Sequence, residues 1–485
     1  MTDFNAIRKG IASLDGSASH SASGEDRPKI SEIFAPEQHA GALDPNTTIV
    51  LGSRGAGKSF WAGVLGDPET RAAAAEAYPH IGLSNLEVRF GYTGLTNDGS
   101  VSRQTLDAQI PVGAERKVAP LLWRCVVLRA LKSAVDGPEV KQPTIKSMME
   151  TYSDPEEWED ACTTADQKLM ANGRRVLVIF DALDGIAENW NRLRDLLDTL
   201  LEVAWSIRGY KNVRAKLFLR PDQMRDLGLR FVELPKLLAG ATNLNWTGAN
   251  LYGMLFCRLG LVEDRSAAKA FREILEKEGV TAPPTSLSKM RRWSLAYDKR
   301  AQTAVFSRLA GLYMGRSHKK GRTYDWPVNH LADGHGEVTP RSFLMLNVAA
   351  ARITSDTTIQ AMNAEGIRHG LREASKVRVD QLGLEFPWIG RVLAPLARLQ
   401  VPCASSMIAS RWDETETIQA VMKRASAGEF LPPFDPNAEG DQQSNLIGRL
   451  VRIGVLSIRQ DGRYDMPDLF RVAARLLKKG GVAPQ

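Results

Sequence analysis

The chain has 485 residues, 43% of them hydrophobic and 25% charged, with a formal net charge of +7. That balance excludes collagen-like and fully disordered chains, and at roughly 100–200 residues per domain it predicts two to four domains. Its mildly basic character permits contact with nucleic acid without requiring it.

Residues 1–28 are rich in Ser, Gly and Asp and read as a flexible N-terminal arm. A short lead-in, with Ile33, Phe34, Pro36, Leu43 and Pro45, precedes a buried strand at Thr47–Leu51. Gly52-Ser53-Arg54-Gly55-Ala56-Gly57-Lys58-Ser59 follows at once and opens a helix over Phe60–Leu65. One more strand is expected near Leu86–Tyr92, among helices that fill much of residues 80–170. The best membrane candidate, Pro120–Leu131, is broken by Arg124 and Arg129 and falls short of the roughly 20 apolar residues a spanning helix needs.

A second buried strand, Arg175–Phe180, ends on Asp181. Trp190, Leu193, Leu196, Leu197, Leu200, Leu201, Ala204 and Ile207 then recur at helical spacing. A third strand, Ala215–Leu219, is closed by Arg220-Pro221-Asp222. Buried strands alternating with helices predict an α/β fold, a parallel sheet covered by helices over residues 29–250. From about 250 the pattern turns helical, with basic aromatic stretches at 289–300 and 316–324. Thr339-Pro340 opens a further helix as cap and first-turn residue. Residues 251–395 are thus expected to form a helical lid with a basic region, and 396–485 a last domain.

Four cysteines (Cys125, Cys162, Cys257, Cys403) lie far apart with no C-x-x-C pair, which predicts buried thiols rather than a disulfide framework. His330, Asp333 and His335 sit in a glycine-containing loop and read as structural. The N-terminus lacks the apolar core of a signal peptide, so a cytoplasmic protein with no membrane contact is expected.

The strand–GSRGAGKS–helix unit matches the phosphate-binding P-loop pattern in sequence and context. Gly52, Gly55 and Gly57 let successive N–H groups point into one anion hole, and the helix starting near Lys58 adds its positive end. Residues Gly52 to Phe60 line the nucleotide in this reading. Lys58 reaches the outer phosphates of ATP, and Ser59 binds Mg²⁺ with Asp181. Asp184, three residues on, either orients the attacking water or caps the following helix, and both roles can coexist. Arg220 projects from the same sheet edge, either toward the γ-phosphate or as a plain surface arginine. Lys58, Asp184 and Arg220 are the catalytic candidates.

These residues carry a resemblance. IFDALDG, with Asp181 and Asp184, resembles the Walker B signature of STAND NTPases. FLRPD (Phe218–Asp222) looks like the sensor arginine strand of STAND and KAP-type ATPases, and TPRSFLMLN (Thr339–Asn347) is similar to the opening of the KAP lid. The resemblance implies sensor roles for Arg220 and Arg341. Gly185 stands where many STAND members carry Glu, and there is no repeat array or KAP-like membrane insert.

At the C-terminus, a helix near 444–452, strands flanking the Asp461-Gly462 turn, and a helix over Pro467–Lys478 resemble the winged helix that follows the lid in origin-binding AAA+ proteins. Arg449, Arg452, Arg459, Arg463, Arg471, Arg475, Lys478 and Lys479 outnumber the local acids, which suits phosphate contact. Three readings follow. One is a switch or assembly ATPase that forms homo-oligomers and works with a separate effector or sensor chain, as in anti-phage defence. The second is a DNA-dependent loader or transposition helper that grips duplex DNA through residues 443–485. The third keeps ATP as a structural ligand.

Overall fold

The computed structural model describes residues 2–14, 22, 26–96, 98–137, 139–187, 190–226, 228–355, 359–435 and 439–483. Runs that are apolar at every position, such as 49–51 and 176–180, must be covered on both faces, and these are. β1 (Ile49–Leu51), β2 (Leu86–Tyr92), β3 (Arg175–Phe180), β4 (Val213–Leu219) and β5 (Thr242–Asn243) form one five-stranded sheet in the order β2-β3-β4-β1-β5. Each neighbouring pair is parallel, with Ile49 opposite Leu217 and Phe180 opposite Leu217 on the other side.

Alternate residues of each strand feed two separate cores. Val176, Val178, Phe180, Leu217 and Leu219 face the helices Glu115–Asp136 and Trp190–Ser206, where Leu122, Trp123, Leu196 and Leu200 are buried. Leu177, Ile179, Val50 and Phe218 face the helices Lys58–Gly66 and Pro68–Ala77, with Trp61, Val64, Leu65 and Ala74. Each fully buried side chain of this size stabilises the fold by roughly 1.5–3 kcal/mol, so the sheet is a stiff base for whatever its edge carries.

The chain forms two compact units. The sheet belongs to one, residues 19–245 with 286–291. The other gathers residues 1–18, 246–285 and 292–485.

In this second unit the expected flexible arm 1–28 requires correction. Phe4–Ser13 is a helix, N-capped by Asp3, whose Oδ1 accepts from the Ala6 N–H at 2.9 Å. Ile7 and Ile11, one turn apart, are fully buried, and the helix packs against Arg265–Lys277 and Pro340–Ile353. Arg8 Nη2 donates to the Gln360 carbonyl at 2.9 Å, and Lys277 Nζ to Thr2 Oγ1 at 2.5 Å. Most of residues 15–25 fall outside the described residues.

The expected boundary at 395/396 does not appear as a break in packing. Gly334 N–H donates to the Gly454 carbonyl at 2.7 Å, His335 Nε2–H to Arg452 at 3.1 Å, and Ala473 N–H to Ser375 Oγ at 3.0 Å. Helix Gln442–Arg452 and the antiparallel hairpin β7 (Ser457–Ile458) and β8 (Tyr464–Asp465) stand where the sequence placed them. The closing helix does not. It covers only Asp468–Arg471, because Arg475 turns into left-handed backbone (φ +60°). Beyond it, β9 (Leu477–Lys478) pairs in parallel with β6 (Gln400–Val401). No helix among the described residues is long and apolar enough to cross a membrane, and all four cysteines are buried thiols.

Candidate nucleotide-binding site

After Leu51 the chain must reverse within a few residues and start a helix. Gly55 (φ +85°) and Gly57 (φ +105°) supply the left-handed backbone this needs. Gly52 N–H donates to the Leu219 carbonyl at 3.1 Å, which ties the start of the loop to β4. Lys58 heads the helix, and its Nζ donates to the carbonyls of Gly52 (2.8 Å) and Ser53 (3.3 Å). The ammonium therefore lies against the glycine loop.

Asp181 stands just past β3, its N–H bonded to the Tyr92 carbonyl at 2.8 Å. Its carboxyl is buried at 2% exposure, close to the Ser59 side chain and the Ala182 backbone, both of which favour its charged form. Burial pushes its pKa above the ordinary aspartate range, and Ser59, Ala182 and Lys58 pull it back only in part. Oδ1 of Asp181 has no hydrogen-bond partner. A buried, orphaned carboxylate oxygen beside a hydroxyl is a hard-oxygen donor set that lacks its counter-charge. Ser59 and Asp181 therefore fit Mg²⁺.

Ala182 takes left-handed backbone (φ +53°) despite its Cβ, which swings the chain into a tight turn, Leu183–Gly185. This turn presents Asp184, whose Oδ2 lies 3.7 Å from Arg54 Nη2 and 3.7 Å from Arg220 Nη1.

Arg220 closes β4, which runs between the loop strand β1 and the Asp181 strand β3. That strand order sets the arginine between the two halves of the site. Its side chain is buried, and its Nε and Nη2 grip Asp222 at 3.1 and 2.8 Å. Its own N–H donates to Gln223 Oε1 at 2.9 Å.

The α/β unit thus brings together Gly52–Ser59, Asp181, Asp184 and Arg220. Phe60 lies edge-on to Trp61, which is fully buried as a core anchor. Arg341 belongs to the other unit, on the first turn of the helix that Thr339 caps by accepting from Ser342 N–H at 3.2 Å. Asp222 and His39 were not singled out in the sequence. Asp222 had a usable signal, a carboxylate two residues from Arg220 across a proline. His39 had none, being a lone histidine that meets Trp61 only in the fold.

The C-terminal positives are fewer at the surface than in the sequence. Arg471 is fully buried, donating to the Leu476 and Val482 carbonyls at 3.0 and 2.8 Å. Arg449 is buried against the Phe386 ring. Lys478 pairs with Asp465 and Arg463 with Asp461. Asp333 Oδ1 accepts the N–H groups of His335 and Glu337, a structural role for that loop, and no cluster of three or more His, Cys, Asp or Glu placed to hold a metal ion occurs among the described residues.

A P-loop following an inner strand of a parallel sheet, with an acidic residue ending a nearby strand, defines the α/β unit as a P-loop NTPase fold. No protein-family model matches the chain, and no curated protein does. Among solved structures it is similar to the Aeropyrum pernix ORC2 protein, determined as ADPNP–ADP complexes. That likeness has 13% identity over 95% of this chain and 93% of the other, with a TM-score of 0.30. Similarity at that level carries no argument about function, which rests on the site itself.

Proposed function

We propose that the chain binds and hydrolyses Mg²⁺-ATP and uses the cycle as a conformational switch. The observation that carries this is the buried Asp181 Oδ1 left without a partner, with Ser59 and Lys58 close enough to favour its charged form. Mg²⁺ held there would neutralise phosphate charge. Lys58 binds the outer phosphates, the loop N–H groups cradle them, and Arg220, fixed by Asp222, stabilises charge at the far end. Asp184 accepts a hydrogen bond from the attacking water and orients it.

In this reading Arg341 senses the nucleotide from the lid, and the protein assembles as a homo-oligomer with a separate effector or sensor chain, as STAND-like defence ATPases do. The region 396–485 acts as a winged-helix-like contact module for that partner. Its burial of Arg449 and Arg471 and its internal ion pairs support protein contact over DNA.

Mg²⁺-ATP turnover, with and without duplex DNA, tests the reading against Lys58→Ala. A low rate that depends on Lys58 and ignores DNA is expected. Strong stimulation by DNA would instead support the loader reading, with the exposed Arg452 and Arg459 as its first contacts. No turnover above the Lys58→Ala blank would reject the hydrolase.

A further inference from the structure

The geometry points to Arg54 as a sensor of the third phosphate, held on Asp184 until a triphosphate competes for it. This inference rests on the nucleotide-binding reading above and deepens it.

Arg54 sits on the glycine loop two residues after Gly52, whose carbonyl receives the Lys58 ammonium. Its guanidinium crosses to the turn after β3 and lies 3.7 Å from Asp184 Oδ2. Arg220 reaches the same oxygen at the same distance from the opposite strand. One carboxylate oxygen is thus shared by two cations.

The two arginines are not equivalent. Arg220 is 7% exposed and is clamped in a two-point grip by Asp222, so it is fixed in place. Arg54 is 28% exposed, and its pair with Asp184 exceeds hydrogen-bond length. An ion pair of that length and exposure is weak, and among the contacts of Arg54 it is one that a better anion can compete with. A terminal phosphate offers more charge than a carboxylate and several acceptor oxygens that match a guanidinium fork. A diphosphate places no such group near the loop rim, so the Arg54–Asp184 pair persists beside it. Arrival of the third phosphate therefore draws Arg54 off Asp184, which leaves the carboxylate facing Arg220 alone and more open to water. Arg54 acts here as a positioning and specificity residue.

Calorimetric titrations with ADP and with a non-hydrolysable triphosphate, AMP-PNP, test this without turnover. Arg54→Ala is expected to lower AMP-PNP affinity about tenfold while ADP affinity changes less than about twofold, the loss of one charge-assisted phosphate contact. Asp184→Asn, which removes the competing anion, is expected to raise AMP-PNP affinity about two- to fivefold with ADP unchanged. Arg54→Lys should fall between wild type and Arg54→Ala.

Equal losses for both nucleotides in Arg54→Ala, or no loss for either, would overturn the sensor role. An Asp184→Asn variant with unchanged AMP-PNP affinity would overturn the competition. Failure of wild type to bind either nucleotide, or of Lys58→Ala to weaken both, would instead reject the nucleotide site itself. Thermal melts of each variant establish that it is folded.

Discussion

Trp61 donates its indole N–H to Nδ1 of His39 at 3.3 Å, which leaves the other ring nitrogen, Nε2, to donate to the Asn245 carbonyl at 2.9 Å. The buried imidazole is therefore the neutral Nε2–H tautomer, and it pins the P-loop helix to the lead-in segment. Burial pushes its pKa from 6.5 down to about 4. The unfolded chain takes up this proton near pH 6.5 and the folded chain does not. Stability is therefore lost as pH falls from 6.5 toward 4, by at most roughly 3 kcal/mol from this one group. Urea unfolding at pH 7, 6 and 5 should show a steeper loss for wild type than for His39→Gln. Parallel slopes would remove His39 from the account.

Lys216 gives the complementary case at higher pH. It is fully buried on β4, and its Nζ donates to the carbonyls of Asp44 (2.9 Å) and Thr47 (2.8 Å) just before β1. Burial lowers its pKa from 10.5 to about 7. Between these values the unfolded chain holds a proton that the folded chain has shed, so stability rises with pH across that window. Lys216→Met should flatten the rise, measured by denaturant unfolding at pH 7, 8 and 9. It should also loosen residues 44–47, visible as faster amide exchange.

Asp181 predicts a split between ligand-free and loaded protein. Its carboxyl group is buried with one oxygen short of a partner, so replacing it by an amide relieves the cost of burying that charge in the nucleotide-free fold. Asp181→Asn should melt at or a few degrees above wild type without ligand, and should lose the stabilisation that Mg²⁺-ATP confers. EDTA should erase that stabilisation in wild type. A variant stabilised by Mg²⁺-ATP as strongly as wild type would show that the cation sits elsewhere.

The helices Pro340–Ile353 and Ala364–Glu385 cross at Gly370, where a Cβ would lie 2.2 Å from the Leu346 carbonyl oxygen. Backbone cannot step aside as a flexible side chain can. Gly370→Ala should therefore cost about 3 kcal/mol, the upper end of ordinary overpacking. Thermal unfolding reads it directly, and a change under about 1 kcal/mol would mean the helices separate freely.

The sheet was legible because strands buried on both faces read as largely apolar runs: 49–51 and 176–180 are apolar throughout, and Val213–Leu219 is interrupted only by Arg214 and Lys216. The P-loop was legible because its chemistry demands fixed glycines. The Phe4–Ser13 helix was hidden by composition. Phe4, Ile7 and Ile11 keep helical spacing, but polar and small residues surround them, and their burial depends on helices more than 250 residues away. The C-terminal helix was over-extended for a similar reason. Leu477 pairs with a strand at 400–401, a contact that no local pattern announces. Within the site, residue types were readable, but the sharing of Asp184 between Arg54 and Arg220 depends on β4 lying between β1 and β3.

Because the helical unit claims residues at both ends of the sequence, the α/β unit is an insertion within it. On the ribosome, Phe4–Ser13 is made before the sheet, whereas Arg265–Lys277 and Pro340–Ile353, the helices that pack against it, are made after the sheet. During synthesis the early helix must wait, apolar face uncovered, while the whole sheet is completed. The α/β unit can thus fold co-translationally, whereas the unit that holds this helix closes only after the sheet has been made.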